Sequence, residues 1–153
     1  MSQAIKVFME YAAEFEKTNL DDDWSRLEPY FPEDIVYEVR GGPMACRIEG
    51  RQAMFAGIRK SLNGLDRRFE GRDIELLQGP DVRELPEGEE ITIGWRIHYS
   101  REHCPVVTLP GRSVFLVRGA HIVAMRDEYD DDELADMQAW IDTYGEDIDG
   151  SYV

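Results

Sequence analysis

The amino-acid sequence predicts an α+β fold, with helices near the start of the chain and an antiparallel sheet after them. Apolar residues follow helical spacing through most of the first 62 residues, interrupted by one early strand pattern. From about residue 68 the pattern alternates as in strands, with turn residues between the runs. Segregated helices and strands are typical of α+β domains. The length of 153 residues predicts one domain, 1–153, whose last few residues form a loose tail.

Three helices are predicted around the early strand, before the main run of strands. Ser2 is a suitable N-cap for a helix that runs to about Lys17. The acids Asp21–Asp23 can cap a second, short helix that Pro32 ends. The segment "IEGRQAMFAGIRKSL" predicts a third helix. The residues expected to face inward are Ile5, Phe8, Ala12 and Phe15 in the first helix, Trp24, Leu27, Tyr30 and Phe31 in the second, and Phe55, Ile58 and Leu62 in the third.

The strands are predicted from alternation and from the turns between them. In the early strand "DIVYEVR", Ile35, Tyr37 and Val39 share one face. Gly79-Pro80, "LPEGEE" and "RGAH" supply later turns, and the acids Asp130–Asp132 cap a closing helix. The later strands are predicted at 68–77, 90–100, 105–109, 112–118 and 120–129. A sheet of this kind with helices on one face encloses a pocket when it curls.

Composition excludes several classes of partner. The net charge is −15, from 17 basic and 32 acidic side chains, whereas phosphate binding depends on clustered Lys and Arg. Neither nucleic acid nor an anionic membrane is therefore expected as a partner. Without a long apolar run or a signal-peptide pattern, and with Cys46 and Cys104 as free thiols, the chain is expected in the cytoplasm. His98, His103 and His121 have no metal-type spacing, so neither a metal nor a cofactor is predicted.

The last predicted strand carries a carboxylate on its more apolar face. In "HIVAMRDEYD", alternation places Val123, Met125, Asp127 and Tyr129 on the same side. A carboxylate in such a position either meets water or has a partner and a function. Asp127 is therefore a candidate functional residue.

The strand at 90–100 has one apolar face and one polar face. The apolar face is too rich to be exposed, so it is expected to pack on helices or to form a symmetric homodimer through Trp95, Ile97 and Tyr99. Arg96 and His98 project together from the opposite face. If that face is concave, a cation and an imidazole point into the pocket.

We expect Arg96, His98 and Asp127 to meet in one pocket. A guanidinium can hold a carboxylate in bidentate geometry, and an imidazole can act as acid or base near neutral pH. Tyr37 and Tyr11 can donate to a developing oxyanion. Each residue also has a structural interpretation: a strand ion pair for Arg96 and Asp127, a solvated imidazole for His98, and core packing for Tyr11.

The order of elements, together with the phrases "YFPEDIVYE" and "HIVAMRDEYD", resembles the nuclear transport factor 2-like superfamily. The closest groups are the SnoaL-like proteins and their polyketide cyclase, ketosteroid isomerase and limonene epoxide hydrolase relatives. The resemblance covers nearly the whole chain. It implies a cystatin-like, cone-shaped fold in which a curved antiparallel sheet packs on three N-terminal helices. Many chemistries, and some proteins that are not enzymes, share this fold.

The residue pattern is most similar to that of limonene epoxide hydrolase. Tyr37 in "VYEV", Arg96 in "WRIHY" and Asp127 in "MRDEYD" match the tyrosine, the arginine and the water-activating aspartate of that family. Val39 stands where the family has an asparagine that helps to hold the attacking water, and His98 replaces its general-acid aspartate. The resemblance therefore implies an acid–base site and puts epoxide hydrolysis itself in doubt.

The predicted function is a cofactor-free acid–base enzyme for a small, largely apolar molecule, catalysing an isomerisation, cyclisation, dehydration or hydration. Asp127 is the expected base, Arg96 its orienting partner, His98 the acid and Tyr37 an oxygen-binding donor. The residues expected to contact the substrate are Tyr11, Val39, Met125 and Val123. The alternative is a small-ligand-binding or assembly module of the same fold without chemistry.

Overall fold

Helices cover one side of the sheet in the computed structural model, which describes residues 2–153. The helix α1 (Gln3–Asp21) begins after Ser2, whose hydroxyl accepts a hydrogen bond from the backbone N–H of Ile5 at 3.1 Å. A 3-10 helix (Trp24–Tyr30) takes the place of the second predicted helix, and α2 (Arg51–Gly64) is the third.

Six strands form one curved sheet that does not close on itself. Its strand order is β2-β1-β6-β5-β4-β3, with β1 parallel to β6 and all other pairs antiparallel. The strands are β1 (Val36–Arg40), β2 (Cys46–Glu49), β3 (Gly71–Leu85), β4 (Gly88–Ser100), β5 (Val107–Arg118) and β6 (His121–Glu128). This arrangement confirms the predicted α+β cone.

Two strands are longer than the sequence predicts. β3 continues through Gly79-Pro80 with two register shifts instead of turning there, and β5 continues through Pro110-Gly111. Proline lacks an N–H and is tolerated where a strand has only one neighbour. Because the pairing of β5 with β6 begins at Arg112, Pro110 has only β4 beside it. The short strand β2 is an element that the sequence analysis missed.

Gly111 allows two aromatic rings to approach the backbone of β5. A Cβ atom at this position would lie 2.7 Å from ring atoms of Trp95 and 3.1 Å from Cε1 of Tyr129. Carbon atoms pack at about 3.5–4.0 Å, so only glycine leaves enough room. This close approach brings both rings onto the concave side of the sheet.

The last residues close one side of the cone. After a 3-10 turn (Asp131–Leu134) and α3 (Ala135–Tyr144), residues 145–153 form a segment without helix or strand, here called the strap. The backbone N–H of Asp149 donates to the Gly64 oxygen at 3.0 Å, and the Ser61 hydroxyl donates to the Gly150 oxygen at 2.7 Å. The strap therefore packs against α2 in a part of the chain where the sequence analysis expects a loose tail.

Aromatic side chains pack between α1 and its neighbouring elements. Phe8 and Phe115 lie with ring centroids 5.0 Å apart, and Tyr11 meets Phe31 edge to face at 5.2 Å. Burial of such rings is the main favourable contribution to a core of this size. No helix within residues 2–153 is long and apolar enough to cross a membrane.

Candidate functional site

A cavity of about 390 Å³ lies between the concave face of the sheet, α1, α2 and the strap. Its wall is mostly apolar, with a small number of polar side chains. Cavities of this size and composition are typical of small-molecule sites. The side chains with a polar atom that line it are Tyr11, Glu16, Tyr37, Ser61, Asp66, Arg72, Trp95, Tyr99, Ser113, Asp127, Tyr129 and Tyr152.

Asp127 is held by a chain of hydrogen bonds on the cavity wall. The Tyr37 hydroxyl donates to Oδ2 of Asp127 at 2.5 Å, and the Ser113 hydroxyl donates to Oδ1 at 2.5 Å. Ser113 in turn accepts a hydrogen bond from Nε1 of Trp95 at 2.8 Å. Because both oxygens of Asp127 accept, the network is arranged for the ionised carboxylate.

Strand register explains why Asp127, Ser113 and Trp95 meet. Ser113 on β5 is paired with Asp127 on β6 and, on its other side, with Ile93 on β4. Side chains of directly paired residues point to the same face of a sheet, so all three face the cavity. Trp95 lies two residues further along β4 and leans back toward Ser113.

Burial raises the pKa of Asp127 above the usual range for an aspartate, and the hydrogen bonds from Ser113 and Tyr37 partly oppose the shift. No Lys, Arg or His within residues 2–153 forms an ion pair with this carboxylate. A carboxylate stabilised only by neutral donors holds its proton more strongly than one beside a cation. Asp127 therefore has the properties of a general base that works closer to neutral pH than a solvent-exposed aspartate does.

Three further phenols surround Asp127. Burial, reinforced by the charge of Asp127, raises the pKa of Tyr11 and Tyr152 well above that of a free tyrosine. Burial, followed by Tyr152 and Asp127, does the same for the pKa of Tyr129. These hydroxyls therefore stay protonated and can donate hydrogen bonds to an oxygen atom inside the cavity.

A second polar cluster lies elsewhere on the cavity wall. Nε of Arg72 donates to Oδ2 of Asp66 at 2.6 Å, and the Tyr99 hydroxyl donates to the same oxygen at 3.1 Å. Nη1 of Arg72 reaches Glu16 at 3.3 Å. Tyr99 and Trp95 are four residues apart on β4, which separates their Cα atoms by roughly 13 Å. The cavity is thus apolar between two polar ends.

Arg96 and His98 lie outside the cavity, so the prediction that they meet Asp127 is wrong. Arg96 donates from Nε and Nη2 to Glu75 on β3 at 2.9 and 3.0 Å. His98 contacts Glu75 at 2.9 Å and Thr108 at 2.9 Å. The side chains of Arg96 and His98 are 42% and 33% exposed, because the polar face of β4 is the convex one.

The apolar face of β4 is the concave one, which also contradicts the predicted homodimer surface. Trp95, Ile97 and Tyr99 are only 9%, 7% and 1% exposed in a single chain. They line the cavity beneath the helices, so they are not accessible to a second subunit.

The other predicted contacts are divided between the cavity and the core. Tyr11, Tyr37 and Met125 line the cavity, as the sequence predicts. Val39 is buried in the core beside Asp127 and does not line the cavity. Val123 is also displaced, because the register shift between β5 and β6 leaves it out of the ladder, and Ile122 occupies the core position instead.

Sequence reasoning missed Ser113, Trp95 and Tyr152 as parts of the site. Ser113 is the one hydroxyl residue on an otherwise apolar face of β5, and this exception to the alternation was the available signal. The position of Tyr152 follows from the packing of the strap, for which the local sequence has no pattern. Within residues 2–153 no group of three or more His, Cys, Asp or Glu side chains is arranged to hold a metal ion.

Comparison with known proteins shows similarity at the level of structure. No protein-family model matches the chain, and no curated protein matches it significantly. A nuclear transport factor 2-like protein of unknown function from Burkholderia pseudomallei superimposes with a TM-score of 0.65 and 16% identity, over 92% of this chain and 98% of that one.

Two of the similar structures hold small molecules. TerC, co-crystallised with polyporic acid, superimposes with a TM-score of 0.62 and 15% identity, over 92% of this chain and 99% of that one. A protein with a ketosteroid isomerase-like fold from Catenulispora acidiphila, in complex with trimethylamine, has a TM-score of 0.55 and 15% identity, over 83% of this chain and 91% of that one. The chain therefore has the nuclear transport factor 2-like fold that the sequence analysis expects.

Proposed function

We propose that the cone binds a small, largely apolar molecule and that Asp127 acts on it as a general base without a cofactor. The observation that carries this proposal is the carboxylate of Asp127, set in a mostly apolar wall and held by Tyr37 and Ser113. No cationic side chain of residues 2–153 is paired with it. The ligand-bound structures of the same fold support the small-molecule part of the proposal.

The arrangement suits proton abstraction from a carbon atom next to a carbonyl group. The carboxylate of Asp127 takes the proton, the carbon–hydrogen electron pair moves into the enolate, and the carbonyl oxygen gains negative charge. A phenol from Tyr11, Tyr129 or Tyr152 donates a hydrogen bond to that oxygen. Return of the proton to a different carbon completes an isomerisation. In a cyclisation, the enolate carbon attacks a second carbonyl, the π electrons of that carbonyl move to its oxygen, and this oxygen takes the proton from Asp127.

The test is proton exchange rather than turnover of an unknown substrate. The probe is 2-tetralone, a bicyclic ketone with acidic protons beside its carbonyl, incubated with the protein in D₂O and followed by proton NMR. We expect the wild-type protein to accelerate loss of the α-proton signal above the buffer rate. Asp127→Asn should lower the protein-dependent rate by about 10²- to 10⁴-fold, because general-base catalysis contributes about that much.

The matched control for this substitution is Asp73→Asn, which makes the same change on an exposed position of β3. His98→Ala is a second control, because His98 lies on the convex face. Both controls should keep the wild-type exchange rate. Equal rates for Asp127→Asn and the wild-type protein would contradict the assignment of the base.

One observation favours the alternative of ligand binding without chemistry. With Arg96 and His98 outside the cavity, two of the three charged groups expected in the site are missing from it. The same probe separates the two functions. Saturable binding of 2-tetralone by calorimetry, together with exchange at the buffer rate, would identify a binding module.

A further inference from the structure

Tyr152 reaches the cavity from a segment with no regular secondary structure. Its ring lies 5.6 Å from that of Tyr37 between centroids, and it lines the cavity beside Asp127. Burial raises the pKa of Tyr152, and the side chains of Tyr37 and Ser61 partly oppose this rise. The strap thus contributes an aromatic wall and a hydroxyl to the site.

The surface of α2 is shaped to receive the strap. Gly57, Ser61 and Gly64 are spaced by four and three residues, which places them along one face of the helix. A Cβ atom on Gly64 would lie only 1.7 Å from the backbone carbonyl oxygen of Asp149, and one on Gly57 would lie 3.0 Å from the backbone carbonyl oxygen of Tyr152. The strap therefore lies in a groove that larger side chains would fill.

The strap also separates the main cavity from a second one. Residues 148–151 line an apolar cavity of about 180 Å³, whose other walls include Met137 and Ile141 of α3. Met44, Leu65 and Leu109 line both cavities, so the two spaces adjoin each other. A ligand that displaced Tyr152 would gain access toward this second apolar space.

We infer that Tyr152 and the strap determine which ligands the cone accepts: the ring limits ligand size, and the hydroxyl binds a polar group next to Tyr37. This inference rests on the proposed function, since it concerns the ligand of the same cavity. It assigns Tyr152 as a specificity-determining residue that selects compact aromatic or alicyclic molecules with one polar group over larger ones.

The experiment compares two fluorescent ligands of different size, 2-naphthol and 1-hydroxypyrene, by titration against the 153-residue protein. Tyr152→Ala should raise the affinity for 1-hydroxypyrene relative to 2-naphthol by at least about tenfold, because it removes the aromatic wall. Tyr152→Phe should lower the affinity for 2-naphthol by about fivefold, because it removes one neutral hydrogen bond. The affinity for 1-hydroxypyrene should fall by the same factor, so that the ratio of affinities stays unchanged. The matched control is Tyr144→Ala, an exposed tyrosine of α3 outside the main cavity.

A second variant tests the strap without changing any group that contacts the ligand. Gly64→Ala places a methyl group against Asp149 and should displace the strap. We expect faster hydrogen exchange at the Asp149 amide, which bonds to Gly64 in the wild-type protein, and the same change in ligand ratio as for Tyr152→Ala.

The outcomes separate this inference from the proposed function. If the wild-type protein binds 2-naphthol but Tyr152→Ala changes the ratio of affinities by less than twofold, the inference is overturned and the binding site stands. Rapid hydrogen exchange at the Asp149 amide of the wild-type protein would also overturn the inference and leave the binding site in place. If no variant binds either ligand, the inference and the proposed function both fail.

Discussion

At the scale of single residues, the site depends on how Ser113 shares its hydroxyl between two partners. The Ser113 hydroxyl accepts a hydrogen bond from Nε1 of Trp95 and donates one to Asp127. One small side chain therefore provides a partner for both a buried indole and a carboxylate. Its bond to Asp127 lowers the pKa of that carboxyl against the larger effect of burial. Ser113 therefore tunes the pH range in which Asp127 is ionised.

Ser113→Ala should move the proton-exchange activity to higher pH. Loss of the hydrogen bond raises the pKa of Asp127 further, and a base works only above its pKa. The pH profile of 2-tetralone exchange measures the shift of the rising limb. The control is Thr108→Val on the same strand, whose hydroxyl contacts His98 on the convex face. An unchanged profile for Ser113→Ala would show that Asp127 does not set the pH dependence.

Asp127→Asn should increase thermal stability at pH 7 to 8. The pKa of Asp127 is raised in the folded protein, so its contribution to stability is complete below the unfolded pKa and is lost as pH rises through the folded value. A neutral amide avoids this loss. The increase in Tm should disappear near pH 4, about the pKa of an unfolded aspartate. Asp73→Asn should show no such pH-dependent gain, and a destabilised Asp127→Asn at pH 8 would contradict the burial argument.

At the scale of elements, alternation on β4 separates its residues into two faces correctly, but it does not say which face is concave. The sequence analysis left open whether Trp95 packs on helices or on a second subunit, and it expected Arg96 in the pocket. In the structure Trp95 lies on the concave face and Arg96 on the convex one. The choice depends on the register through β5, which pairs Ser113 with both Ile93 and Asp127. Register arises from contacts between distant parts of the chain, so no local pattern reveals it.

The strand pattern of β6 was more informative. Met125 and Asp127 face the cavity as alternation predicts, and Tyr37 on β1 also lines it. Val123 was misplaced because a single irregularity in pairing with β5 reverses which residue points inward. Local alternation therefore predicts side-chain direction only as far as the next bulge.

Gly111→Ala should destabilise the fold by about 1–3 kcal/mol, because the added methyl group overlaps the Trp95 ring. Urea denaturation measures the change in the free energy of unfolding. Gly94→Ala is the control, since the nearest atom to its Cβ would be Cβ of Gln78, at 3.3 Å. Equal stability of the two variants would show that the approach of Trp95 to β5 is not a constraint.

At the scale of the whole molecule, the apolar face of β4 is an inner wall rather than a subunit interface. Ile97→Asp should therefore lower the free energy of unfolding by about 3–5 kcal/mol, because it buries a carboxylate without a partner. The decrease in Tm should be the same at low and high protein concentration. A decrease that depends on protein concentration would instead indicate that this face contributes to association.

The polar face of β4 contacts the neighbouring strands rather than the cavity. Glu75, Arg96, His98 and Thr108 link three neighbouring strands, β3, β4 and β5, across the outside of the sheet. None of these four side chains lines the main cavity. Alternate residues of β4 therefore contribute to cross-strand contacts outside the sheet and to the cavity wall inside it. Redesign of ligand preference can therefore change the odd-numbered positions from 93 to 99, while the even-numbered positions retain their contacts with the neighbouring strands.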